Sequence, residues 1–530
     1  MSSTCELRTE ISLLDQELSV LDAQIALVRA KRVKAAELLQ AMACYPVLSL
    51  PNEITSEFFT HYVNGDEGRS PLPLTWVCRG WRELTHSCCR LWTCFDSKFY
   101  AGCPWLWSTF DSRFHHVDQM SFWLHLSGGR PLDLILGRLS PPSKAQAQLA
   151  NLNNYSTQFR TFESLSPSLN PFVSSLRGPF PVLEKLQLPF GYKPSTPSIF
   201  LDALRLRKVE ILVDRNHNWR GVIPWGQLTT LHLSSESPIS FLETVKWTPQ
   251  LEELRLGLKQ TLISPLPSPS TPPIVLPRLR TLSFENTFCC GILQHLTLPA
   301  LEDFATDFED WHTQLQHDDI GHLMHLFERS KCALRNLRLK LAYNSVNIFM
   351  ELLLTVPLAF LRELIIRRIP HVERGSVERL LDCLTSRNPP LLPCLESIRL
   401  EGCDVRIRLP PLVRMLTARR AGIDGVAILQ TFYLWFSHND GDDESDDDEF
   451  HRTAREGVLE EPELEPALLE LRRLREGGLR VEMHVDTKCF TGNVDTDLLA
   501  LMAGEDLPAC GLPFLLDPGF ANQLTCEDQF

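Results

Sequence analysis

Leu251-Glu252-Glu253-Leu254-Arg255-Leu256 places leucines at the first, fourth and sixth positions of a six-residue phrase, and the phrase recurs along the chain. Copies run Leu183–Leu188, Leu228–Leu233, Leu279–Phe284, Leu334–Leu339, Leu361–Ile366 and Leu395–Leu400, with a degenerate form at Leu301-Glu302-Asp303-Phe304. From Leu228 onward the anchors stand 22 to 34 residues apart. The last three positions alternate apolar, polar, apolar, which is the pattern of a short strand with one greasy face. One such strand cannot bury its own leucines. Stacked neighbours can, because each covers the next and the core becomes continuous. Helical patterns between the phrases, at Ile348–Leu354 and Val377–Leu384, supply a second layer. The spacing therefore predicts a repeat array over 180–436, with several unrelated strands in an ordinary α/β domain as the alternative.

This array resembles leucine-rich repeats, in irregular form, since the family's Asn or Cys after the strand is mostly absent. Around it the chain organises itself by composition. Ser264–Pro273 is rich in proline and reads as an extended surface loop. Residues 440–449 hold eight acidic side chains and no basic one, so 437–463 reads as an acidic, solvated, disordered linker. Leu464, Leu468 and Leu471 suggest a closing helix, with a closing strand at Leu479–His484, over 464–485. Residues 486–530 carry no strong pattern and read as a loosely ordered tail.

The N-terminal segment has a different period. Leu7, Ile11, Leu14, Leu18, Leu21, Ile25 and Val28 step by four and three, a heptad seam on one long helix over 5–43. Arg32 occupies the next seam place, and Ala35 and Leu39 resume the row. Self-association as a parallel dimer and packing onto the chain's own later domain are both open.

Residues 46–95 carry Pro46-Val47-Leu48-Ser49-Leu50-Pro51-Asn52-Glu53-Ile54, then Phe58-Phe59, Val77-Cys78-Arg79-Gly80-Trp81-Arg82 and Leu91-Trp92. Pro51 suits a helix start, where its missing N–H costs nothing. Ile54, Phe58 and Phe59 then fall on one apolar face, and Val77, Trp81 and Leu84 repeat the spacing, leaving Arg79, Arg82 and Glu83 to water. Pro73 and Gly80 interrupt the second helical stretch. So small a unit holds more apolar surface than it can hide alone, which points to a partner.

The order of these motifs resembles an F-box, the small helical module that docks on the Skp adaptor of cullin-RING ubiquitin ligases. The following Phe122–Leu126 helix, Gly128-Gly129 turn and Leu132–Leu136 strand, within a connecting α/β region over 96–179, are similar to the order found in a large group of fungal F-box proteins. The fold class expected is α/β: a long N-terminal helix, an all-α F-box and an irregular leucine-rich-repeat-like solenoid. The resemblance implies adaptor contacts from Leu50, Pro51, Ile54, Phe58, Val77, Trp81, Leu91 and Trp92, a Skp-type adaptor and a cullin as partners, and an unknown target protein on the repeats. It implies a recruiter in the ubiquitin pathway rather than an enzyme. The alternative is an interaction scaffold that uses the coiled coil and repeats without ubiquitin transfer.

Composition narrows the field further. With 530 residues the chain exceeds one core, and 44% hydrophobic residues suffice to fold it. A formal charge of −14 argues against nucleic acid. Arg367-Arg368 and Arg419-Arg420 are too few to reverse this and read as solvated surface. The apolar runs Leu352–Leu361 and Val426–Phe436 are too short to cross a bilayer. No signal peptide is evident, so a cytoplasmic or nuclear setting with reduced thiols is expected for the 16 cysteines. Cys78, Cys88, Cys89, Cys94 and Cys103 gather near His86 without Cys-x-x-Cys spacing, so Cys78 and Cys94 read as buried small hydrophobes rather than zinc ligands. Asp440–Glu444 lacks the glycine of a calcium loop. No cofactor, metal or catalytic residues are assigned.

Overall fold

A computed structural model describes residues 4–42, 50–65, 70–97, 122–137, 150–189, 192, 199–213, 219–235, 237–258, 272–285, 290–306, 317–340, 346–355, 358–367, 376–386, 391–403, 409–422, 426–436, 464–487 and 494–497. The chain is mixed α/β. Two units emerge: residues up to Phe95 with 122–130, and Asp96 and Ser97 with the residues from Pro131 onward. The acidic linker, the proline-rich loop before Pro272, Cys103, Arg368 and most of the tail lie outside the described residues.

The first unit begins with helix α1 (Thr4–Met42), unbroken as the absence of Gly and Pro requires. Every residue from Arg8 to Leu38 is exposed, so nothing among the described residues covers the seam. Helix α2 (Asn52–Val63), α3 (Leu74–Val77), α4 (Arg79–Ser87) and a 3-10 turn at Cys89–Trp92 then form a small cluster. Two details differ from the sequence reading. Pro51 stands one place outside α2 as its N-cap, its carbonyl accepting the Thr55 N–H at 3.0 Å. The second helical stretch breaks at Cys78, not at Pro73 or Gly80. Cys78 is extended (φ −157°), and its Sγ accepts the Trp81 N–H at 3.4 Å, capping α4. Cys78 and Cys94 are half-buried rather than sealed. Gly128 and Gly129 turn the chain after residues 122–126 with φ of +63° and +78°, and a Cβ at Gly128 would lie 2.8 Å from Cys89 Sγ. Only glycine fits there.

In the second unit, strands Leu132–Leu136, Phe159–Ser164, Lys185–Gln187, Lys208–Val213, Thr230–Ser235, Glu253–Leu258 and Thr281–Phe284 lie side by side in chain order. Asp303–Thr306, Asn336–Lys340, Glu363–Arg367, Ser397–Cys403, Thr431–Phe436 and Arg480–Thr487 continue the same sheet, every pair parallel. Val494–Asp497 pairs antiparallel at the end. The register puts like positions of the phrase opposite one another: Leu254 on Leu282, Leu282 on Phe304, Phe304 on Leu337, Leu337 on Leu364, and Leu364 on Ile398. None of these side chains is more than 2% exposed. Each leucine or phenylalanine fully buried in this row stabilises the unit by roughly 1.5–3 kcal/mol. Helices at Pro238–Val245, His317–Ser330, Val346–Thr355, Ser376–Ser386, Leu409–Arg420 and Leu464–Glu476 stand between strands.

The ladder therefore already includes Leu132–Leu136 and Phe159–Ser164, inside the stretch first assigned to a connector over 96–179. The strand at Lys208–Val213 fills the long gap between the first two copies with an unnoticed one, Leu206-Arg207-Lys208-Val209-Glu210-Ile211, whose Val209 and Ile211 pair with Leu231 and Leu233. Asp486 and Thr487, first assigned to the tail, complete the Arg480–Thr487 strand. Arg419 also departs from the solvated role first assigned to it: it is 3% exposed.

Candidate interaction surfaces

The first surface lies on the small helical cluster. Along α2 the apolar residues split into two rows rather than one. Phe59 and Val63 turn inward with Thr55 and Thr60, and Phe59 meets Trp81 edge-on at 4.7 Å between ring centroids. Ile54 and Phe58, four residues apart on one helical stripe, face outward at 47% and 60% exposure. Val77, at the end of α3, is 59% exposed. Pro51 is exposed, Leu50 and Trp81 are half-buried.

Leu91 and Trp92 behave otherwise. They are 1% and 0% exposed, and Trp92 stacks edge-on against Trp123 at 4.8 Å while its indole N–H donates to the Thr85 carbonyl at 2.8 Å. A side chain so enclosed meets no partner, so these two hold the cluster together from within, and the contact role first assigned to them is corrected. Arg90 ties the same turn to α2 through Glu57 at 2.9 Å. His86 sits beside Trp92 and Phe122, and burial, with Arg82 nearby, lowers its pKa. Ile54, Phe58 and Val77 thus remain as a large outward apolar set on a unit that needs none of them for its own core.

The second surface is the polar face of the ladder. Parallel sheets are usually covered on both faces, and their strands then read as continuous apolar runs. Here they alternate, and the intervening residues line an open groove of about 800 Å³. Arg255, Asp303, Asn336, Arg338, Glu363 and Arg367 are among its walls. Asp303 accepts from Thr281 Oγ1 at 3.3 Å and from the Asn336 amide. Arg367 pairs with Glu401 at 2.8 Å, and Arg399 with Glu363 at 3.5 Å. Opposite charges on adjacent strands fix each other and leave a face patterned in both signs.

His232 anchors one end of this face. Its Nε2 lies 2.6 Å from Glu285 and its Nδ1 3.4 Å from Glu210, which also accepts from Gln187 at 2.8 Å. Burial works against the charged imidazolium, yet hydrogen bonds to both carboxylates outweigh it and raise the pKa to about 9. The hydrogen bond from His232 in turn lowers the Glu285 pKa against its own burial. An unfolded histidine titrates near 6.5. The raised folded value means the stabilisation is complete below about 6.5 and drains away as pH climbs through about 9. Thermal melts from pH 6 to 9.5 are expected to show Tm falling across that window, with the slope flattened in His232→Gln; an equal slope in both proteins rejects the bridge.

Sequence reasoning missed His232 and the Asp303–Asn336 pair, because their partners sit one or more repeats away and no local spacing announces them. Among the described residues, no group of three His, Cys, Asp or Glu side chains is arranged to hold a metal ion, and no helix is long and apolar enough to cross a membrane. No protein-family model matches the chain, and no curated protein sequence matches it.

Proposed function

We propose that this protein is the substrate-recognition subunit of a Skp–cullin–F-box ubiquitin ligase. The observation that carries the reading is the outward set Ile54, Phe58 and Val77 on a helical cluster whose core is already closed by Phe59, Leu91 and Trp92. An apolar set left outside a finished core is what a docking module presents to its adaptor. A standard interface of about 800 Å² per partner lies within the reach of four short helices.

The irregular leucine-rich-repeat-like ladder would present its polar face to the target. Chemistry on this chain is not required: the receptor holds a target lysine near a ubiquitin-loaded enzyme, and proximity raises the rate. A tagged full-length chain is expected to recover both a Skp-type adaptor and a cullin in a native pull-down, identified by mass spectrometry. Recovery of adaptor without cullin points instead to a scaffold outside ubiquitin transfer, and recovery of neither rejects the module.

A further inference from the structure

The seam of α1 carries the strongest unassigned signal. Ile11, Leu18 and Ile25 take the a places of the heptad and Leu14, Leu21 and Val28 the d places, and all six are between 46% and 64% exposed. Such a row in water is unfinished. We infer that a second copy of this chain covers it, and that the two helices run antiparallel. The proposal is independent of the ubiquitin-ligase reading.

Charge beside the seam sets the direction, because e and g residues choose orientation in coiled coils. In a parallel pair each g residue faces the next e residue of the other copy. Glu10 would then meet Asp15 and Glu17 would meet Asp22, each twice by symmetry, and Arg32 at an a place would face its own equivalent. In an antiparallel pair centred on Ala23, the middle of α1, e faces e and g faces g. Asp15 then meets Arg29 of the second copy, and Glu17 meets Lys31 of the second copy, each twice. Arg32 lies against Leu14 instead of another arginine. The apolar layers stay intact, with Ile11 on Ala35, Leu18 on Val28 and Leu21 on Ile25. One like-charged contact remains, Asp22 on Asp22 at the dyad. The acidic first half and basic second half of one helix therefore match the reversed halves of another, and the parallel arrangement sets like charge on like.

A 39-residue helix is about 58 Å long at 1.5 Å per residue. The antiparallel arrangement sends the two Met42 ends to opposite ends of the pair, so the helical clusters that follow are carried apart rather than side by side. Leu13, Val20 and Leu27 remain outside this seam.

Sedimentation equilibrium of the full-length chain at low ionic strength tests the idea. Wild type is expected to be a dimer. Glu17→Lys should weaken it about tenfold, since the new ammonium at position 17 would meet Lys31 twice, and Glu17→Lys with Lys31→Glu should restore it. Asp15→Arg alone and with Arg29→Glu repeats the logic at an independent pair, and circular dichroism verifies that α1 persists. A parallel dimer gives the opposite sign, because the same ammonium would attract Asp22, so tightening by Glu17→Lys overturns the orientation. A monomeric wild type, a trimer or larger species, or double variants no tighter than the singles would overturn the proposal.

Discussion

Ile54→Asp combined with Phe58→Asp is expected to abolish capture of a Skp-type adaptor while leaving the protein's Tm unchanged within about 1–2 °C. Both side chains already stand in water, at 47% and 60% exposure, so the folded chain loses little when they change. A docked adaptor would remove that apolar surface from solvent. Losing two anchors at roughly 1.5–3 kcal/mol each, and burying two carboxylates in their place, removes several kcal/mol of affinity, more than a hundredfold in Kd. The choice of residues matters. Trp81 packs edge-on against Phe59, and Trp92 is wholly enclosed against Trp123, so truncating either disturbs the cluster itself. Trp92→Ala is expected to cost about 3–5 kcal/mol of that cluster's stability, and any loss of adaptor would then be uninterpretable. The aspartate pair separates the two effects. Adaptor retained at wild-type levels by the aspartate variant removes the observation on which the ligase reading stands.

The repeat phrase made the ladder legible because its signal is local: the leucines that stack on neighbouring strands are the ones that alternate in sequence. Leu254, Leu282, Leu337 and Leu364 stand in one buried row for that reason. Phe304 joined them from a degenerate copy because a phenylalanine fills the same place as a leucine. Lys208–Val213 escaped notice because Val209 and Ile211 stand in the leucine places of Leu206-Arg207-Lys208-Val209-Glu210-Ile211. Phe159–Ser164 escaped it because Phe159 and Phe162 take the first two apolar places and Ser164 the third. A paired strand accepts β-formers such as Val209, Ile211 and Phe162 there. The helical cluster was legible in outline but not in facing. Helical spacing put Phe58 and Phe59 on one face, yet adjacent residues on a helix point about 100° apart, and the short cluster has room for only one of them. The break at Cys78 was hidden for a different reason. No proline or glycine marks that position, and the extended residue is stabilised by its own sulfur capping the next helix. Long-range polar pairs left no trace at all. Glu210 and Glu285 look like ordinary surface acids until the ladder brings them to either side of His232.

Arg419→Met is expected to destabilise the second unit by about 3 kcal/mol, which makes this guanidinium one of its most consequential polar side chains. Arg419 is 3% exposed in the last turn of the Leu409–Arg420 helix. Its Nε donates to the Leu384 carbonyl at 2.9 Å, its Nη1 to the Leu392 carbonyl at 3.0 Å, and its Nη2 to the Leu391 carbonyl. Leu384 lies in the last turn of the Ser376–Ser386 helix, where carbonyls have no partner within the helix and carry the negative end of its dipole. The fork thus satisfies the Leu384 and Leu391 carbonyls and adds a second donor to the Leu392 carbonyl, which also accepts the Leu395 N–H at 3.2 Å, and burial lowers the arginine's pKa. Methionine fills much of the space but donates nothing, stranding the Leu384 and Leu391 carbonyls at about 1–3 kcal/mol each, while the Leu392 carbonyl keeps the Leu395 N–H; the loss is offset in part because a buried charge has gone. Lysine keeps the charge on a single point and cannot reach all three carbonyls in the same fork, so Arg419→Lys should fall between wild type and methionine. Chemical denaturation of the full chain, followed by near-ultraviolet circular dichroism, reads the order directly. Midpoints in the sequence arginine, lysine, methionine support the fork. A methionine variant as stable as wild type means that water or another donor already serves those carbonyls and that the guanidinium is incidental.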